Sequence, residues 1–138
     1  MAPKVDALRR AVAPDRFTAF DPATFPASTR AALTSVAAAY RLGPECGEQF
    51  SLAVRDPLFE EGRDVSDSEE LGELRRAHGV GDPTEADAAS VDADFQEGAR
   101  RGVVGSPHFF TADGDFFCPS LEIGTSHHPS SNRGSNKP

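Results

Sequence analysis

The periodicity of the chain changes once, near Gly102, and that change limits what it can fold into. Upstream, apolar residues recur at helical spacing between proline and glycine breakpoints. Downstream, Val103, Val104, Phe109, Phe110, Phe116 and Phe117 are β-branched or aromatic and read as strand. A run of helices followed by a short extended region is an α+β pattern. Pro107 interrupts the extended region, in Gly102-Val-Val-Gly-Ser-Pro-His-Phe-Phe110. Proline has no N–H to give a sheet ladder, so something other than regular pairing places it there.

The helical region divides at its punctuation. Val5, Leu8 and Val12 mark a short first helix, after which Pro14, Pro22 and Pro26 make residues 1–27 largely irregular. Ser28 is placed to cap a helix with Leu33, Val36 and Tyr40 on one face, ended by Gly43, and its many alanines favour helix and permit close helix contacts. Pro44 opens the next helix, with Cys46, Phe50, Ala53, Val54 and Leu58 as its apolar residues and Gly62 as its end. Pro57 predicts a kink or break near Asp56. Ser66-Asp-Ser-Glu69 has capping-box spacing and leads to Leu71, Leu74 and a stop at Gly79. Asp82-Pro-Thr-Glu85 repeats that pattern, with Asp82 as cap, and starts a helix through Ala88, Val91 and Phe95 to Gly102. Residues 28–102 are therefore expected to form a helical domain.

In the extended region, Phe109 to Thr111 and Phe116 to Cys118 flank Ala112-Asp-Gly-Asp115. Asp-Gly at the centre of a two-residue loop predicts a type I′ hairpin. An isolated hairpin is marginal in water, so its four phenylalanines require a larger sheet or helices to cover them. Residues 103–123 form this loop and hairpin. Residues 124–138, polar and rich in Gly, Ser, Asn and Pro, are expected to be a disordered tail.

Composition narrows the function. The 138 residues fit one domain and carry a formal charge of −8, which argues against nucleic acid or an anionic membrane as partner. No stretch approaches the roughly 20 apolar residues of a spanning helix, and the N-terminus lacks the apolar core of a secretion signal; the cytoplasm is the expected location. Cys46 and Cys118 form no CxxC pair and no zinc-ligand cluster. Glu45 and Glu48 oppose a thiolate at Cys46, and Cys118 lies beside Phe117 and Pro119, so both read as packing residues. His108 reads as a hydrogen-bonded structural histidine. His127 and His128 are adjacent and lack a ligand-pair spacing, so no metal site is expected. No phosphate-binding glycine loop and no Ser/His/Asp order suggests a cofactor or a triad.

Helical segment, Arg101-Gly-Val-Val-Gly-Ser-Pro-His-Phe-Phe110, then Asp-Gly hairpin: this order resembles the C-terminal half of the DsbA-like branch of the thioredoxin superfamily, which includes the 2-hydroxychromene-2-carboxylate isomerase group. Leu58-Phe-Glu-Glu-Gly-Arg-Asp-Val-Ser-Asp67 resembles the F-x-x-G-x-D-I-S-D stretch of that branch's helical insertion. Together these features run from Ser28 to Ile123. The resemblance implies an α-helical insertion domain joined to a partial thioredoxin-like element, with a cis Ser106–Pro107 bond. It also implies that Gly105, Ser106 and Pro107 form the loop that pairs with a thiol or extended peptide substrate.

Active members of the branch carry Cys-x-x-Cys after their first strand, where a helix N-terminus lowers the attacking thiol's pKa. That motif is absent from this chain, and the final helix expected after Leu121-Glu-Ile123 is replaced by the polar tail. The expectation is a truncated or degenerate family member that is redox-inactive as written, with no catalytic residue and no cofactor. Two alternatives stand beside it. One is a non-catalytic interaction module that docks another chain by strand addition; the other is a glutathione-dependent, isomerase-like protein.

Overall fold

The computed structural model describes residues 2–117. The architecture is α+β: a helical unit that runs to Val103 and a hairpin unit that starts at Val104. The helical unit contains α1 (Ala2–Ala11), α2 (Arg30–Tyr40), α3 (Pro44–Ala53), α4 (Arg55–Phe59), α5 (Ser68–Ala77) and α6 (Glu85–Arg100).

Proline and glycine set most of these boundaries. Pro44 occupies the first turn of α3, directly after Gly43 at φ 140°. The Pro57 ring would clash with the carbonyl four residues earlier, which belongs to Ala53, the last residue of α3. The break therefore falls at Val54, slightly before the expected Asp56. Gly79 at φ 66° and Gly102 at φ 74° follow α5 and α6, in the left-handed conformation that a helix terminator needs.

The caps differ from the expected ones, each for a local reason. Asp67, not Ser66, caps α5: its Oδ1 accepts from the Glu69 and Glu70 N–H groups at 2.9 and 3.0 Å. The Ser66 hydroxyl and N–H are already engaged by Asp64 Oδ1, at 2.6 and 2.8 Å. Thr84, not Asp82, caps α6 through a reciprocal box in which Asp87 Oδ2 accepts from the Thr84 N–H at 2.7 Å. Asp82 pairs instead with Arg75 at 3.0 Å. At α2, Thr29 holds the cap position without a side-chain bond, and Ser28 Oγ accepts from the Arg30 N–H.

The core gathers Phe50, Val54, Leu58, Val65, Leu71 and Val80 against Ala32, Ala38 and Ala39 of α2. The close helix contacts expected of the α2 alanines are made here, and Val36 packs against the same core. Leu33 and Tyr40 remain about half exposed, and the alanine side is buried. Small side chains let helices approach closely, and here α3 comes so near that a Cβ on Gly47 would overlap the Tyr40 ring. Ser35, on the same buried side, donates to the Ala31 carbonyl and accepts from Arg75 Nη1 at 3.1 Å.

The irregular segment between α1 and α2 packs within this unit. Phe17, Phe20 and Phe25 surround Phe59, with ring centroids 5.9–6.4 Å from it. The Phe17 N–H donates to Glu60 Oε2 at 2.8 Å, and Thr24 Oγ1 donates to the Gly62 carbonyl at 2.7 Å.

In the hairpin unit, β1 (His108–Thr111) pairs antiparallel with β2 (Gly114–Phe117), His108 opposite Phe117 and Thr111 opposite Gly114. The connection is therefore Ala112-Asp113, with the glycine one place later than expected. A type I′ turn needs positive φ at both central residues. Neither Ala112 nor Asp113 has it, while Gly114 lies at φ 136°. The Ser106–Pro107 bond is cis. Phe109, Phe110, Phe116 and Phe117, for which cover was expected, are 43–51% exposed. The expected tail and Cys118 lie outside the described residues.

Candidate functional site

The loop from Gly105 to Pro107 leads directly into β1, where the missing N–H of Pro107 removes no ladder bond. Ser106 and Pro107 are exposed and Gly105 is half-buried. Gly105 is required by a close approach, since a Cβ there would stand 2.7 Å from the Phe117 ring. The loop backbone therefore rests on an aromatic face of the hairpin.

Strand register puts His108, Phe110, Asp115 and Phe117 on one face and Phe109 and Phe116 on the other. On the first face the His108 ring stacks on Phe110, with centroids 4.7 Å apart and planes 4° from parallel, and Phe117 stands 6.3 Å away. The imidazole is only 5% exposed although it lies on a two-stranded sheet. Its Nε2 meets Asp115 Oδ2 at 3.0 Å, and its Nδ1 accepts from the Val104 N–H at 3.4 Å. Sequence reasoning recognised a hydrogen-bonded histidine and missed that it ties the loop to the hairpin. The available signal was its position, directly after the loop proline and two residues before Phe110.

Cys46 lies half-buried on α3 against the core of the helical unit, which fits a packing role. It is the free cysteine among the described residues, and no group of three potential metal ligands occurs among them. No described residue can serve as the second thiol of a dithiol pair.

A separate groove of about 680 Å³ runs between α2 and α6 in the helical unit. Leu33, Val36 and Tyr40 of α2 form one wall, and Val91 and Phe95 of α6 the other. Phe95 is 80% exposed. Arg30 bridges the two helices by a bidentate pair with Asp92, at 3.0 and 2.6 Å. The bonded guanidinium holds the Asp92 carboxyl below the usual carboxylate range. Asp87, buried beside the α6 cap, is likewise held low, first by the Thr84 N–H and then by Arg41. These carboxylates are committed as anions to structural partners, so neither is poised for proton transfer.

The chain matches no family model, no curated protein and no solved structure. No helix among the described residues is long and apolar enough to cross a membrane.

Proposed function

We propose that the protein is a DsbA-like member of the thioredoxin superfamily that docks a thiol-bearing or extended peptide at Gly105, Ser106 and Pro107 without running a dithiol cycle. The observation that carries this reading is the exposed Ser106–Pro107 loop leading directly into the first strand of a hairpin. An extended chain can be held at such a loop by backbone hydrogen bonds. The reading is also supported by the packing of Cys46 against the helical core.

Turnover in complete members of the family proceeds by thiolate attack, a mixed disulfide and resolution by a second cysteine. An insulin-reduction assay with dithiothreitol tests this part of the reading. The expected rate equals the uncatalysed one, and measurable acceleration would show that the protein is an active oxidoreductase.

A second reading is a general interaction module that adds any compatible strand to its edge, and the exposure of phenylalanines on both hairpin faces favours it. Amide shifts on binding an extended peptide separate the two, because the general module shifts a hairpin edge and leaves Gly105 and Ser106 unchanged. Glutathione-dependent, isomerase-like chemistry requires glutathione to bind. Absence of heat at millimolar glutathione in calorimetry would remove that alternative.

A further inference from the structure

We infer that His108 is the positioning residue of the Gly105–Pro107 loop, acting as a proton-sensitive latch through the Val104 N–H; the functional consequence rests on the docking reading above. The loop has two attachments to the same hairpin face. Gly105 lies on the Phe117 ring, and the Val104 N–H donates to His108 Nδ1 at 3.4 Å.

Nδ1 can accept that bond only while it carries no proton. A neutral imidazole must then hold its hydrogen on Nε2, the nitrogen that faces Asp115 Oδ2 at 3.0 Å. The two partners thus select one tautomer. Phe110 and Phe117 cover the ring, and Asp115 on β2 is the charged group that meets it. Protonation adds a hydrogen to Nδ1 and sets a donor against the Val104 donor. The loop end of the latch opens while the Asp115 end becomes an ion pair. Acidification therefore frees the loop and leaves the imidazole anchored on the hairpin.

The test uses the full chain and nuclear magnetic resonance. Histidine ¹⁵N spectra of the neutral imidazole, recorded at alkaline pH, are expected to show the His108 hydrogen on Nε2. On acidification, the Val104 amide is expected to shift and lose exchange protection with the same midpoint as the imidazole. His108→Phe keeps an aromatic ring and removes both nitrogens; it should expose the Val104 amide and weaken a thiol-bearing test peptide about fivefold, the effect of one hydrogen bond. His108→Asn supplies a non-titrating acceptor, and should restore binding and abolish its pH dependence.

A hydrogen on Nδ1 of the neutral imidazole, or a Val104 amide indifferent to both pH and His108→Phe, would overturn the inference. If the latch titrates as described and no peptide binds at any pH, the docking reading falls while the positioning of the loop by His108 stands.

Discussion

Phenylalanine has two fates in this protein. In the helical unit Phe50 is fully buried and Phe95, on the α2–α6 groove, is 80% exposed, while in the hairpin unit four phenylalanines each leave roughly half of their surface in water. The residue type is the same, so the difference comes from the layers available to cover it. α2 packs against α3, which carries Phe50, and against α5, and their buried side chains join one core. A two-stranded sheet has two faces and few side chains of its own to cover them. The helical unit therefore holds the buried core of the described residues, and the hairpin unit holds the aromatic surface that the proposed docking would use.

The largest test of that contrast is Phe50→Ala, which should cost about 3–5 kcal/mol because it opens a cavity where no side chain can collapse easily. Thermal denaturation followed by helical circular dichroism measures it. Gly47→Leu should come next, at about 1–3 kcal/mol by overpacking, since even a Cβ would overlap the Tyr40 ring. Thr84→Ala removes one half of the α6 capping box and should cost about 1 kcal/mol in the same assay. Phe116→Ala, although it deletes an equally large ring, should change unfolding of the helices by less than about 0.5 kcal/mol. A loss as large as that of Phe50→Ala would erase the distinction between the two regions.

Acid should act on the helical unit gradually. Arg100 and Arg101 lower Glu97 to about 2, and the Thr84 N–H lowers Asp87. A carboxyl depressed in the folded state contributes stability that is fully present above its unfolded value and lost as pH falls through its folded one. The Glu97 contribution is therefore complete above its ordinary value of 4.5 and disappears toward about 2. Unfolding midpoints measured between those limits should fall with pH, and less steeply in Glu97→Gln.

Much of the helical unit was legible in the sequence because proline and glycine act locally. Pro44 starts a helix, Pro57 breaks one, and Gly79 and Gly102 end them, whatever surrounds these residues. Caps were less legible, since Ser66 and Asp67, or Asp82 and Thr84, compete for neighbouring roles and a single turn or ion pair decides between them. On α2 the alanines were legible as sites of close helix contact, and Ala32, Ala38 and Ala39 make it with Val36 packed beside them; that Leu33 and Tyr40 stay half exposed was not legible, because it depends on the direction of the neighbouring helices. The candidate loop was visible as Gly-Ser-Pro before a strand. Its link to His108 was not, because that contact depends on strand register and on the direction of one ring.

The central claim is that recognition resides in the hairpin unit and stability in the helical one. A ¹⁵N-labelled full chain titrated with a thiol-bearing extended peptide tests it most directly. The account predicts shifts concentrated in residues 104–117, including Gly105, Ser106 and the Val104 amide, with the amides of α2 to α6 unchanged. Shifts along the groove between α2 and α6 with a silent loop, or no shifts at millimolar peptide, would contradict it.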